Sequence, residues 1–178
     1  VFQHAGHEGD LAVQFAGNLV QGPLEFGDFR GGGGEVAGGA VAGRHLPGML
    51  ARRRGDLIFV GSDVALRQRP HMGAYGAAKA GLIAMVTNLQ MELEGTGVRA
   101  SVVHPGPTMT SMGWSLPAEK IGPALEDWAK WGQARHSYFL RAADLARAIT
   151  FVAETPRGGF IANMELQPEA PLAEAKER

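Results

Sequence analysis

The chain of 178 residues is 45% hydrophobic and 20% charged, which is enough apolar material for the core of one domain. Its 17 basic and 18 acidic residues give a net charge of -1, which argues against nucleic acid or an anionic membrane as a partner. Cysteine is absent, which excludes disulfides, thiolate metal sites and cysteine nucleophiles and fits a reducing cytoplasm. No apolar run of 18 residues and no signal-peptide pattern is present, so we expect a cytoplasmic protein without a membrane span.

The first 45 residues are rich in glycine and carry little sustained hydrophobic periodicity. We interpret the cluster Gly31–Gly34 with Gly38 and Gly39 as flexible, because no apolar strand precedes it and no clean helical period follows it. The chain begins at Val1, and the rest of it has the pattern of an α/β protein. This abrupt change predicts that residues 1–44 are a wrong-frame translation or the truncated start of a gene.

The next elements are a strand over Gly55–Ser62 and a helix over residues 72–93. One apolar stripe follows the helix, formed by Ala78, Leu82, Val86, Leu89 and Leu93. Three more apolar residues widen this stripe: Ile83, Met85 and Met91. This pattern is too apolar for a single buried face. We therefore expect the helix inside the domain or at a subunit interface.

A short β-branched run over Val98–His104 predicts a buried parallel strand, because it follows a helix and ends at Pro105. In open α/β sheets the ligand crevice lies beyond the carboxyl ends of the strands. Ser62 and the turn after His104 both fall at such ends. Two strand ends are thus predicted to converge on one site.

The remaining elements are a lid and a final helix and strand. Residues 108–137 are rich in Met and Trp and have a helical period, which Pro123 is expected to divide into two pieces. A helix that begins at Asp144 and a strand over Phe160–Leu166 follow. The tail over residues 169–178 has little to bury, and we expect it to be mobile.

Tyr75 and Lys79 stand four residues apart on the predicted helix, so their side chains project from the same face. A free tyrosine has a pKa of about 10, and a fixed cation beside it lowers that value. The hydroxyl of Ser62, brought to the same point by its strand, can hold a substrate carbonyl or hydroxyl against the phenol. These three residues suit the interconversion of alcohols and carbonyls.

At these positions the chain resembles the short-chain dehydrogenase/reductase family, over about Leu46–Pro168. The serine-bearing strand, the Tyr-x-x-x-Lys helix, and the following strand with its Pro-Gly turn at Val98–Thr108 match in the family's order. The resemblance implies an α/β fold with a Rossmann-like parallel sheet and flanking helices. It makes residues 46–168 the catalytic part of the domain and residues 1–45 a separate segment.

The resemblance also implies roles for individual residues. Tyr75 would be the catalytic acid/base, Lys79 would lower its pKa, and Ser62 would orient the substrate. Tyr75 and Lys79 would bind the nicotinamide ribose of NAD or NADP. The residues lining the nicotinamide pocket would be Pro105, Gly106 and Thr108.

The resemblance extends to partners as well. In the family the helix equivalent to residues 72–93 pairs with its symmetry mate, which implies a homo-oligomer. The lid sets substrate choice there, so Met112 and Trp114 indicate a bulky apolar alcohol or carbonyl substrate. An equally good interpretation is that these two side chains only pack the lid onto the body of the domain.

The first half of the chain departs from the family pattern. The Gly-x-x-x-Gly-x-Gly turn that places backbone amides against a pyrophosphate is missing, and with it the first βαβ dinucleotide-binding unit. Leu11–Gly17 is only a weak match to the family's Asn-Asn-Ala-Gly segment. The family's catalytic asparagine would fall near Gly34, where the chain has none. The residue that distinguishes NAD from NADP belongs to the same missing half.

Two hypotheses from different classes follow from this pattern. The first is an NAD(P)-dependent oxidoreductase, and the second is an inactive remnant that dimerises without cofactor turnover, favoured by the missing glycine turn. A serine hydrolase is a weaker third, because Gly61–Ala65 lacks Gly-x-Ser-x-Gly. His4 and His7 are the one close histidine pair, and without a third ligand we expect no metal site.

Overall fold

The computed structural model describes residues 11–15, 37–109 and 118–172. In these residues the chain forms a four-stranded parallel sheet with helices on both faces. The strands follow the chain in the order β1 (Leu11–Phe15), β2 (Gly55–Val60), β3 (Val98–Pro105) and β4 (Asn163–Leu166). The helices are α1 (Ala37–Ala51), α2 (Gly73–Glu92), α3 (Ala118–Lys130) and α4 (Ala142–Ala153). The predicted α/β architecture with a parallel sheet and flanking helices is confirmed.

Strand β2 is buried on both faces, which explains its continuous apolar sequence. Successive side chains of a strand point to opposite faces of the sheet. Leu57 and Phe59 pack in one core with α1 and α2, whereas Ile58 and Val60 pack in a second core with α4. The two cores hold β2 in place, and with it the residues that follow its carboxyl end.

Residues 1–45 contain more structure than their glycine content predicts. Strand β1 pairs in parallel with β2, from Leu11 opposite Asp56 to Phe15 opposite Val60. Helix α1 includes Gly38 and Gly39, which we had interpreted as flexible, and it crosses the expected boundary at residue 45. Tertiary packing overrides weak helix propensity here, since α1 buries Met49 completely against the sheet. Gly31–Gly34 lie outside the described residues.

The later elements agree with the predicted ones apart from shifts of one or two residues at some ends, such as the start of α4 at Ala142 and not at Asp144, and three larger differences. In α2 the stripe is buried from Leu82 to Leu93 as expected, but Ala78 and Met91 are exposed. Helix α3 runs through Pro123 as one piece, although a proline has no amide to donate to the carbonyl of Glu119 one turn earlier. Strand β4 begins at Asn163 and leaves Phe160 half exposed before it. Among the helices described, none is long and apolar enough to span a lipid bilayer.

The turn between α2 and β3 offers a test of the packing. Gly95 and Gly97 both have positive φ angles, of 71° and 84°. A Cβ at Gly97 would overlap the carbonyl oxygen of Arg53, whereas a Cβ at Gly95 would meet nothing within 4 Å. We expect Gly97→Ala to lower the free energy of unfolding by about 3 kcal/mol, and Gly95→Ala by about 1 kcal/mol. Urea unfolding measures both, and equal losses would contradict the close approach.

Candidate active site

The carboxyl ends of β2 and β3 lie side by side, as predicted. The two strands pair up to Val60 opposite Val103, and the amide of Gly61 donates to the carbonyl of Val103 at 2.8 Å. Ser62 is the second residue after β2, separated from it by Gly61, and Gly106 follows β3 directly. The site therefore occupies the edge of the sheet at which parallel α/β folds bind ligands.

Ser62 is fixed at the entrance of a short 3₁₀ turn over Asp63–Ala65. Its backbone is extended, and its hydroxyl oxygen accepts a hydrogen bond from the amide of Val64 at 3.3 Å. The residue is only 6% exposed. A serine that caps a turn in this way holds its hydroxyl in one orientation.

Tyr75 lies in the first turn of α2, and the side chain of Ser62 is close enough to its phenol to influence its pKa. Close packing of α2 on the 3₁₀ turn allows this contact. At Gly76 a Cβ would overlap the side-chain oxygen of Gln68 and lie 3.3 Å from a methyl group of Val64. The small residue beside Tyr75 thus lets the phenol reach the end of β2.

Lys79 lies one helical turn beyond Tyr75 and is 6% exposed. Its Nζ lies 5.7 Å from the centroid of the Tyr75 ring and donates a hydrogen bond to the carbonyl of Val60 at 2.9 Å. A lysine ammonium has three donors, so two remain after the bond to Val60. The structure thus brings together all three residues that the sequence singled out as catalytic.

The pKa of Tyr75 differs in direction from the expectation. Burial raises this pKa above its ordinary value; the hydrogen bond from Ser62 lowers it, the charge of Asp63 raises it and that of Arg69 lowers it. Burial also lowers the pKa of Lys79, to about 8. Desolvation outweighs the neighbouring charges because a buried phenolate loses its hydration. Near neutral pH the phenol of Tyr75 is therefore protonated and is a proton donor.

The lowered pKa of Lys79 predicts how stability depends on pH. Its ordinary pKa is 10.5 and its folded value is about 8, so between these values the unfolded chain binds more protons than the folded chain. The free energy of unfolding should then rise with pH in this window, by about 3 kcal/mol. In Lys79→Met this contribution is absent. Urea unfolding of both proteins from pH 8 to 10.5 measures it, and parallel profiles would contradict the buried ammonium.

Pro105, Gly106 and Thr108 belong to the neighbouring strand end. The amide of Gly106 donates to the carbonyl of Leu166 at 2.7 Å, and the Thr108 hydroxyl donates to the Gly106 carbonyl at 2.9 Å. Thr108 also forms an isolated parallel bridge with Leu140. These bonds fix the loop beside β2, in the place where the resemblance put the nicotinamide pocket.

A buried ion pair next to Ser62 escaped the sequence analysis. Asp63 is 1% exposed and pairs with the guanidinium of Arg69, and the side-chain amide of Gln167 donates to its carboxylate at 3.1 Å. The Arg69 guanidinium lies over the ring of Trp128, 5.4 Å from its centroid. The indole of Trp128 in turn donates to the carbonyl of Pro70 at 2.8 Å. This network joins the Ser62 loop to α3 and to the residues after β4.

His104 is a second buried polar residue that sequence reasoning passed over. It is 2% exposed, and its Nε2 lies 3.2 Å from the side-chain oxygen of Asn163. A Cβ at Gly61 would come within 2.7 Å of its Nδ1, so the ring packs directly on the backbone before Ser62. Burial lowers the pKa of His104, which leaves the ring neutral. In the sequence, His104 is marked only as the last residue of the predicted strand.

Some expected positions lie outside the described residues: Gly34, Met112, Trp114, His4 and His7. Of the other histidines, His71 lies 2.8 Å from the carboxylate of Asp127, and the Nδ1 of His136 accepts from the amide of Tyr138. A search of the described ranges finds no group of three or more His, Asp or Glu side chains that could hold a metal ion.

Comparison with known proteins gives a consistent set of relatives. The short chain dehydrogenase family model matches residues 40–121. The vibriobactin-specific 2,3-dihydro-2,3-dihydroxybenzoate dehydrogenase of Vibrio cholerae is 37% identical over 108 residues, covering 58% of this chain and 41% of that protein. An oxidoreductase of the short chain dehydrogenase/reductase family from Burkholderia thailandensis is 33% identical with a TM-score of 0.58, covering 74% of this chain and 50% of that one.

A third relative is the closed form of serine dehydrogenase complexed with NADP+. It is 25% identical with a TM-score of 0.56, covering 78% of this chain and 56% of that one. The chain thus spans about half the length of the proteins it matches. Its sheet is the Rossmann-like sheet of these structures. Residues 40–121, which carry the motifs at Ser62, Tyr75 and Lys79, are thus similar to the short chain dehydrogenase family.

Proposed function

We propose that the protein is an NAD(P)-dependent oxidoreductase that interconverts an alcohol and a carbonyl. The observation that carries this proposal is the cluster of three side chains at the carboxyl end of β2. The side chain of Ser62 adjoins the phenol of Tyr75, and the ammonium of Lys79 lies beside the ring of Tyr75. A protonated phenol, a fixed hydroxyl and a cation suffice for acid/base work on a carbonyl oxygen.

The residues present fit the nicotinamide end of such a cofactor. Two donors of the Lys79 ammonium and the phenol oxygen of Tyr75 match the hydrogen-bonding groups of a ribose diol. The loop of Pro105, Gly106 and Thr108 is held beside them at the end of β3. A bound nicotinamide supplies or accepts the hydride. The proposal includes both NAD and NADP, and serine dehydrogenase with its NADP+ is the relative that favours the second.

The chain's own residues would position the substrate oxygen and transfer the proton. Ser62 would donate a hydrogen bond to the carbonyl oxygen and hold it next to Tyr75. The neutral phenol would give its proton to that oxygen as carbon–hydrogen bond formation makes it more basic. Lys79 would then stabilise the phenolate that remains. In the reverse direction the phenolate would take the proton of an alcohol.

A turnover assay tests the proposal directly. The 178-residue chain is incubated with NADH or NADPH and a panel of aldehydes and ketones, and the loss of nicotinamide absorbance is followed. We expect turnover with at least one carbonyl, and its removal in Ser62→Ala. The relatives named as dihydroxybenzoate dehydrogenases make cyclic alcohols the natural panel for the oxidative direction. Absorbance loss that Ser62→Ala leaves unchanged would overturn the assignment.

We further propose that copies of the chain pair through α2 in the cytoplasm. A row of exposed residues follows one side of this helix: Ala77, Ala80, Ala84, Asn88 and Met91. Met91 is 62% exposed, and small residues let two helices approach closely. Sedimentation velocity of the chain and of Ala84→Arg decides this point, since a dimer should dissociate in the variant.

A further inference from the structure

A cavity of about 290 Å³ lies between α3, the loop over residues 133–139 and the segments that follow β3 and β4. Most of its wall is apolar, with Pro107, Leu125, Trp128, Phe139 and Pro168 among the lining residues. Ser62, Tyr75 and Lys79 are not among them. The cavity is therefore a space of its own beside the catalytic cluster.

Two lining residues connect the cavity to the surroundings of that cluster, one through the chain and one through a hydrogen bond. Pro107 directly follows Gly106 in the loop after β3, and it lines the cavity. Gln167 lines the cavity as well, and its amide donates to the carboxylate of Asp63, the residue next to Ser62. A ligand that fills the cavity thus contacts the neighbour of Gly106 and a residue that is hydrogen-bonded to the neighbour of Ser62.

Trp128 forms a rigid part of the wall. Its Nε1 donates to the carbonyl of Pro70 at 2.8 Å, and the guanidinium of Arg69 lies over its ring. A cavity of roughly 150 Å³ lined by apolar side chains admits benzene, so this one has room for a six-membered ring with substituents. A fixed indole favours a flat or cyclic ligand over a flexible chain, because the ligand then loses little conformational entropy.

The residues that line the cavity include one with a charged side chain. Arg135 is the lining residue, within the described part of the chain, that carries a permanent charge. A guanidinium binds a carboxylate through paired hydrogen bonds. We propose that the cavity binds the carbon skeleton of the substrate, and that this skeleton is a six-membered ring bearing a carboxylate directed at Arg135. The inference rests on the proposed function, because it assigns the cavity to the substrate of that reaction.

Binding of substrate fragments to the 178-residue chain without cofactor tests the assignment. The probes are benzoate, cyclohexanol, which has the ring without the charge, and acetate, which has the charge without the ring. By saturation-transfer NMR and calorimetry we expect benzoate to bind most tightly, cyclohexanol at least tenfold more weakly, and acetate not at all. Arg135→Gln should weaken benzoate at least tenfold and leave cyclohexanol unchanged. Arg44→Gln, an exposed arginine on α1, is the matched control.

A second variant keeps the test independent of Trp128, whose loss is expected to disturb the fold. Leu125 lines the cavity and is 40% exposed, so Leu125→Trp should fill the space and abolish ring binding in a folded chain. The proposal would be overturned if cyclohexanol or benzoate still bound to Leu125→Trp, or if the affinity for benzoate were the same in Arg135→Gln as in the parent chain. Tyr75→Phe should leave benzoate binding intact. Ring binding without any turnover would refute the redox function alone, and turnover without ring binding would refute the cavity assignment alone.

Discussion

Replacing Tyr75 by Phe is expected to reduce turnover by about 10²- to 10⁴-fold, the contribution typical of a positioned acid/base group. The variant removes one oxygen atom, and with it the proton that the phenol would give to the substrate oxygen. Because the variant loses a single polar atom, its free energy of unfolding should fall by no more than about 1 kcal/mol. The measurement is steady-state turnover, with circular dichroism to confirm the fold.

The matched control for this variant is Thr87→Val. It also removes a hydroxyl from α2, one that bonds within the helix to the carbonyl of Ile83. Turnover of Thr87→Val should equal that of the parent protein. If Tyr75→Phe retained most of the parent turnover, Tyr75 would not be the acid/base, and the proposed mechanism would be wrong.

Breaking the ion pair of Asp63 and Arg69 is expected to have the largest effect on stability. Their side chains are 2% and 7% exposed, so Arg69→Met leaves a buried carboxylate with Gln167 as its remaining polar neighbour. Removal of one partner of a buried pair typically costs about 3–5 kcal/mol, because the other charge is left uncompensated. Urea unfolding should therefore show a midpoint far below that of the parent.

Two comparisons separate the cost of the lone charge from the loss of packing on Trp128. Asp63→Leu combined with Arg69→Met removes both charges, and it should be more stable than Arg69→Met alone. Arg147→Met breaks an ion pair with Asp144 on the surface of α4 and should change stability far less. A single variant that is as stable as the double one would show that the buried pair does not anchor the Ser62 loop.

The parts of the site that the sequence predicted are those set by local spacing. Tyr75 and Lys79 share a helix face because they are four residues apart, and Ser62 reaches them because parallel strand ends meet at one edge. The bond between Gln167 and Asp63 joins residues 104 positions apart, which no local pattern indicates. The pKa of Tyr75 also escaped prediction, because burial, which determines its direction, is a property of the packed site.

The first elements of the fold escaped prediction for a different reason. Helix α1 contains Gly38, Gly39 and Pro47, all poor helix formers, so its sequence shows no clear helical period. Its packing against β2, through Met49, supplies the stability that its propensity lacks. Strand β1 has only five residues, and its sequence matches the family's Asn-Asn-Ala-Gly segment only weakly. Both elements depend on contacts with residues beyond position 46.

Titration of the 178-residue chain with NADH and with NADPH, followed by nicotinamide fluorescence, tests the central claim most directly. The account predicts saturable binding of at least one cofactor, weakened at least tenfold in the Tyr75→Phe, Lys79→Ala double variant, because both side chains are assigned to the ribose. Absence of saturable binding to a chain that circular dichroism shows to be folded would contradict the account. The catalytic cluster would then belong to a cofactor-free remnant that only dimerises.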